Sequence, residues 1–156
     1  MLSAIVASSA MFWPVLLSLA LLCASCAPGG LAGASVASPA FVVPSGAVAA
    51  EVVGVTDGDT FTARMDGMAV KIRFHGLDAP EKGQAFWDAS KRALSGLIFG
   101  RSVWIQKTDR DRWGRTVAEV WTSSGKRVGL AMLESGQAWH FVKYAPADSA
   151  LAAAEV

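Results

Sequence analysis

Residues 51–75 read EVVGVTDGDTFTARMDGMAVKIRFH, and the turns inside this stretch decide the fold. Val52, Val53 and Val55 begin a strand that Asp57-Gly58 ends. Thr60 to Met65 alternates, with β-branched and aromatic residues at several places, as a second strand should. Asp66-Gly67 is a two-residue hairpin signal, because the favoured tight turn needs positive φ at both central positions. Ala69 to His75 returns as a third strand. Three strands joined by tight turns make a meander.

Downstream, Gly76 to Gln84 reads as a loop. Phe86, Ala89, Ala93, Leu94, Leu97 and Ile98 then recur at helical spacing, and Gly100 stands where a helix would stop. Ser102 to Lys107 is the fourth strand, Thr108 to Gly114 a charged loop, and Thr116 to Thr122 the fifth strand. Val128 to Leu133 forms a short helix ended by Gly136, and Ala138 to Tyr144 is expected to be extended. Asp148 is placed to cap a last, short helix. The order of elements predicts a mainly β protein with helices: a five-stranded OB-fold barrel, with a helix between the third and fourth strands.

Upstream, the chain changes character. All 14 Lys and Arg and all 13 Asp and Glu lie at or after Glu51. About a quarter of residues 51–156 are charged, an ordinary proportion for a soluble domain. Met11 to Ala24 is an apolar run of export-signal length, although no Lys or Arg precedes it. An uncleaved anchor is the other reading, since a span needs about 20 apolar residues. Three segments are therefore expected: an export or membrane-targeting segment at 1–26, a tether rich in Ala, Gly, Ser and Pro at 27–50, and the domain at 51–156. Several small-residue sites offer cleavage, among them the one after Ala47-Val48-Ala49. Both cysteines, Cys23 and Cys26, fall in the leader, so the domain holds no disulfide. Cys26 follows Ala24-Ser25, which makes it a candidate lipid acceptor. The expected location is outside the cytoplasm: secreted, periplasmic or membrane-tethered.

Four carboxylates gather around the meander: Asp57 and Asp59 after the first strand, Asp78 and Glu81 after the third. In a meander the ends of strands one and three lie on one side, so Asp59 and Asp78 meet there. With a backbone carbonyl they form an all-oxygen site, which suits Ca²⁺ or Mg²⁺ and not zinc. Taken alone, each motif is no more than a turn or the start of a loop. Two arginines change that. Arg73 lies within a strand, and Arg115 follows Trp113-Gly114 at the start of another. A guanidinium presents a planar fork that matches two phosphate oxygens. Carboxylates for a cation beside two arginines is the equipment of phosphodiester hydrolysis.

Asp57-Gly58-Asp59-Thr60, Arg73, Leu77-Asp78-Ala79-Pro80-Glu81 and Asp111-Arg112-Trp113-Gly114-Arg115, in that order, resemble the thermonuclease family, the staphylococcal-nuclease-like enzymes. The resemblance runs from about Glu51 to the end. It implies an OB-fold and Ca²⁺-dependent hydrolysis of DNA and RNA that leaves 3′-phosphate ends. It further implies that Asp59, Asp78 and the carbonyl of Ala79 bind calcium, with Asp57 shaping the cation site. Glu81 becomes the general base or water-positioning group, Arg73 the ligand of the scissile phosphate, and Arg115 the stabiliser of the transition state. There are departures: Ala79 for Thr, Trp113 where Tyr is common, and Ala85 and Trp87 where Pro and Gly are common. Family members also continue past Val156 with a long final helix, so the last helix here is expected to cover little of the barrel.

Trp113 and Tyr144 are candidates for stacking on bases beside the cleft. Trp87, Trp104, Trp121 and Trp139 are read as packing residues, and His75 and His140 as structural. The net charge of +1 excludes a broad basic binding face and fits a turnover enzyme better than a tight binder. DNA and RNA are the expected partners, as substrates of a monomer, with no protein partner implied and membrane contact only through the leader or a lipid on Cys26. The competing readings are a non-catalytic OB-fold binding module and a truncated, inactive remnant.

Overall fold

The computed structural model describes residues 41–155. The expected leader at 1–26, with Cys23 and Cys26, and the tether as far as residue 40 lie outside the described residues. The elements are β1 (Val48–Val55), β2 (Thr60–Met65), β3 (Met68–Phe74), β4 (Leu77–Asp78), α1 (Trp87–Ile98), β5 (Ser102–Arg110), β6 (Thr116–Thr122), α2 (Val128–Glu134), β7 (Trp139–His140) and α3 (Ser149–Ala154). Five strands close into a barrel in the order β1-β2-β3-β6-β5. All of its pairings are antiparallel except β3 with β6. This is the expected OB-fold barrel.

The meander folds as its turns require. Asp66 (φ 50°) and Gly67 (φ 79°) both take positive φ, and Met65 pairs with Met68 across them. That turn matches the twist of the flanking strands. The inward residues of the strands, Phe61, Ile72, Ile105 and Val120 among them, are fully buried. The Phe61 and Phe74 rings lie 5.3 Å apart and tilted, within the range of favourable aromatic pairs. α1 buries Leu94 and Ile98, and Gly100 (φ 69°) ends it as a left-handed cap.

The structure corrects several boundaries. β1 starts at Val48, inside the expected tether, because Val48, Ala49 and Ala50 pair with Ile105, Trp104 and Val103. A single Val among alanines carries little strand signal, so only the partner strand reveals the segment. A cut after Ala49 would remove part of that pairing. β5 runs on to Arg110, through residues read as loop, by following β6 past an irregularity between Lys107 and Asp109. The expected extended run from Ala138 to Tyr144 shrinks to Trp139–His140, which pairs with an unforeseen two-residue strand, β4. The last helix also does more than expected. Leu151 is buried against Gly76, and Asp148 caps the helix by accepting from Leu151 N–H at 3.1 Å.

Candidate active site

One end of the barrel gathers the carboxylates through one local turn and two strand pairings. Asp57 accepts the Asp59 backbone N–H at 3.1 Å, which folds the D-G-D turn over itself. Thr60 pairs with Arg73 across β2 and β3, so Asp59 and Arg73 are brought to adjacent strands. β4 pairs with β7 and holds Asp78 just beyond the end of β3. The predicted meeting of Asp59 and Asp78 occurs, and Arg73 joins them. One terminal nitrogen of Arg73 donates to Asp59 Oδ1 at 2.9 Å, and the other donates to Asp78 Oδ1 at 2.8 Å and to the Leu77 carbonyl at 3.4 Å.

Asp59 is 1% exposed. It also accepts from the Thr60 hydroxyl at 2.8 Å and, through Oδ2, from the Ala79 N–H at 3.2 Å. Burial pushes its carboxyl up to about 7, against the pull of Arg73 and with the help of the neighbouring Asp57 charge. Burial lowers the Arg73 guanidinium, but Asp59, Asp78 and Asp57 more than offset that, and its pKa is raised. Arg73 is thus held charged. Three carboxylates, Asp57, Asp59 and Asp78, face this one guanidinium, so the cluster carries an excess of negative charge.

That excess is the observation that tests whether a cation fits. The donors offered are hard oxygens, as Ca²⁺ prefers. A carboxylate has about four acceptor sites; Asp59 uses three for the bonds just given, and Asp78 accepts from Arg73 alone among the described residues. Spare acceptors and unbalanced charge both fit a divalent ion at Asp59, Asp78 and the adjoining Ala79 carbonyl. Among the described residues no group of three or more His, Cys, Asp or Glu forms a metal cage. Any such ion therefore leans on the carbonyl, water or substrate oxygens as well.

Arg115 stands apart from Arg73. Its Nε donates to Asp111 Oδ2 at 2.5 Å, and its backbone N–H donates to Asp111 Oδ1 at 2.9 Å, as does that of Trp113. Holding Nε in this way leaves both terminal nitrogens of the guanidinium as a fork. Arg115 enters β6, and β6 pairs with β3 at Arg73↔Val117, so the two arginines approach the same end of the barrel on neighbouring strands. Sequence reasoning missed Asp111 as the holder of Arg115. Its signal was an Asp opening a turn that closes on Gly114 (φ 83°).

Glu81 is exposed, and its backbone N–H donates to Gln84 Oε1 at 2.6 Å. It lies three residues beyond Asp78, but no hydrogen bond draws its carboxylate into the cluster among the described residues. Trp113 and Tyr144 are 67% and 61% exposed, as stacking candidates must be. The guanidinium carbons of Arg112 and Arg115 lie 4.1 and 5.1 Å from the Trp113 ring centre. Tyr144 leans edge-on against Phe141 at 4.8 Å. His140 is buried with Nε2 2.9 Å from the Ala145 carbonyl, and His75 lies 3.2 Å from Glu119. Trp139 departs from its reading as a packing residue, for it is 41% exposed.

A second polar cluster also escaped sequence reasoning. Arg127 clamps Glu119 of β6 with Nε and a terminal nitrogen, and reaches Asp148 at the start of α3. Its partners are 8 and 21 residues away, so no local pattern announces them.

Fold and site together define an OB-barrel protein with a carboxylate–arginine centre at one end. A family model described as "Staphylococcal nuclease homologue" matches residues 71–155. The chain is 39% identical over 123 residues to protein ParB of Escherichia coli, a match covering 74% of this chain and 67% of ParB. It is 38% identical over 94 residues to an uncharacterized endonuclease of Haemophilus influenzae, covering 60% of this chain and 52% of that protein. It is 31% identical over 108 residues to the micrococcal nuclease of Shigella flexneri, covering 64% and 62%. The chain thus spans between about half and two thirds of these curated relatives. It belongs to the staphylococcal nuclease family.

Proposed function

We propose that this protein is an exported, Ca²⁺-dependent nuclease that hydrolyses phosphodiester bonds of DNA and RNA without sequence preference and leaves 3′-phosphate ends. The observation that carries this reading is Arg73 held between Asp59 and Asp78, with Arg115 entering on the neighbouring strand.

Asp59, Asp78 and the Ala79 carbonyl would hold the calcium. When bound, the ion supplies positive charge against the charge that grows on the phosphoryl oxygens. Arg73 uses three hydrogen bonds to orient itself, and its remaining N–H groups meet the scissile phosphate. Glu81 takes the proton of the attacking water, whose oxygen forms the new bond to phosphorus. The bond from phosphorus to the 5′ oxygen breaks, and that oxygen leaves as a hydroxyl by taking a proton from solvent water, to which Glu81 in turn returns the proton it accepted. The Arg115 fork donates to the phosphoryl oxygens as this exchange passes its charge maximum. Contacts go to phosphate and to base faces, so neither the sugar nor the sequence is selected.

Incubating plasmid DNA and RNA with the full chain in Ca²⁺ or in EGTA tests the reading. Both polymers should be cut in Ca²⁺ alone, with 3′-phosphate ends, and Glu81→Gln should be nearly inert. Intact substrates in Ca²⁺, or full cleavage in EGTA with Mg²⁺, would reject it.

A further inference from the structure

Trp139 lies on β7 directly opposite Asp78 on β4. Residues paired in this way across antiparallel strands project from the same face, with Cβ atoms roughly 4.5–5.5 Å apart. The neighbouring pair, Leu77 and His140, is buried, which fixes the other face as the inner one. Asp78 and Trp139 therefore share the outer face. Asp78 directs its carboxylate to Arg73 there. Trp139 keeps 41% of its surface exposed, and none of the ring-stacking or cation–ring contacts among the described residues engages it. A single exposed apolar side chain is ordinary on a protein surface. This one stands beside a carboxylate of the phosphate-binding centre, on a two-residue strand whose only partner among the described residues is the strand that carries that carboxylate.

We propose that Trp139 is a stacking platform for one nucleobase of the bound strand, setting how the strand lies across Asp78 and Arg73. This rests on the nuclease reading above. An indole offers a wide, rigid face with few rotatable bonds, and every base has a complementary face, so the contact adds affinity without sequence preference. Its backbone pairing with Asp78 couples the base position to the phosphate position through one short ladder.

The test uses the full chain as wild type, Trp139→Ala and Trp139→Phe, with a short single-stranded DNA and a set of the same strands carrying one abasic residue at successive positions. Trp139→Ala should raise KM roughly 5- to 150-fold on the intact strand, the range that one stacked base supplies. Trp139→Phe should recover most of that loss. At one abasic position wild type and Trp139→Ala should become equal. Equal KM on the intact strand, or the same loss on every abasic strand, overturns the proposal. If wild type cuts nothing, the nuclease reading falls by itself, and fluorescence anisotropy with the same strands decides the stacking. An affinity loss in Trp139→Ala that one abasic position cancels supports it, and no binding by wild type overturns it.

Discussion

A β-carbon built on Gly58 falls 1.8 Å from the Ser90 hydroxyl oxygen. Ala79 Cβ is 2.8 Å from the same point. The D-G-D turn therefore lies flat against α1 and against the residue that follows Asp78, and Ser90 is itself locked by donating to the Gln137 carbonyl at 2.6 Å. Gly58→Ala should destabilise the fold by about 1–3 kcal/mol, the usual cost of forcing extra volume into a packed site. Gly58→Ala with Ser90→Gly should cost less than the sum of the two single changes, because Ser90→Gly removes the closest clash. Urea midpoints of the four proteins check both statements, and strict additivity would show that the two residues do not compete for space.

Asp111 should matter to turnover although it touches no substrate. It receives the Arg115 Nε and two backbone N–H groups of the same turn. Asp111→Ala frees the guanidinium, and misplacing a transition-state group by about 1 Å costs on the order of 10²-fold. Arg115→Ala should cost about 10²–10³-fold and Glu81→Gln about 10²–10⁴-fold in kcat. The double variant Asp111→Ala/Arg115→Ala should be no worse than Arg115→Ala. Single-turnover rates decide it, and independent losses would give Asp111 a separate role.

Calcium should raise the melting temperature of the wild type by mass action, by about 2.7 kcal/mol of stability at a hundredfold excess over the dissociation constant. Asp59→Asn and Asp78→Asn should lose most of this rise, since each removes charge from the cluster. Mg²⁺ should substitute poorly, because it demands stricter octahedral geometry than two carboxylates and a carbonyl impose. Scanning calorimetry with Ca²⁺, Mg²⁺ and EGTA measures all three. Equal shifts in wild type and both variants would place the ion elsewhere.

Asp148 gives a pH dependence with a definite sign. The hydrogen bond from Arg127 pulls its carboxyl below the ordinary 3.8, with burial opposing and the Leu151 N–H assisting. The folded value lies below the unfolded one, so this stabilisation is complete above the ordinary value and is lost as pH falls through the lowered one. Asp148→Asn keeps a capping oxygen and removes the charge. It should cost about 1.5–3 kcal/mol at pH 7, and the gap to wild type should narrow progressively as the pH falls below the ordinary carboxylate value. Urea unfolding along this acid series measures the gap; one that stays constant into acid would show that the charge is irrelevant.

The proposed export of the chain predicts that a C-terminal epitope is recovered outside the cytoplasm. Cell fractionation reads this directly. A full-length, soluble cytoplasmic product would count against it.

The local sequence by itself determined what depends on neighbours in the chain. Strand β2 and the Asp66-Gly67 hairpin follow from β-branched alternation and from two residues that tolerate positive φ. Strand β6, the stop of α1 at Gly100 and the Asp148 cap are equally local, and all stand as read. Asp59, Arg73 and Asp78 were also legible, because a meander brings the ends of its strands together. Tertiary structure alone decided the rest. Val48–Ala50 become strand because β5 offers hydrogen bonds, since one Val set among alanines carries too little strand preference of its own. Gly58 is needed because α1 packs on the turn, a contact 32 residues away. Arg127 gathers Glu119 and Asp148 because the barrel and α3 meet there, and Leu151 is buried for the same reason. Trp139 reads in sequence as one more packing tryptophan. Only its pairing with Asp78 turns it outward beside the site, because which face of a two-residue strand is buried depends on the neighbouring layers and not on the strand's own residues.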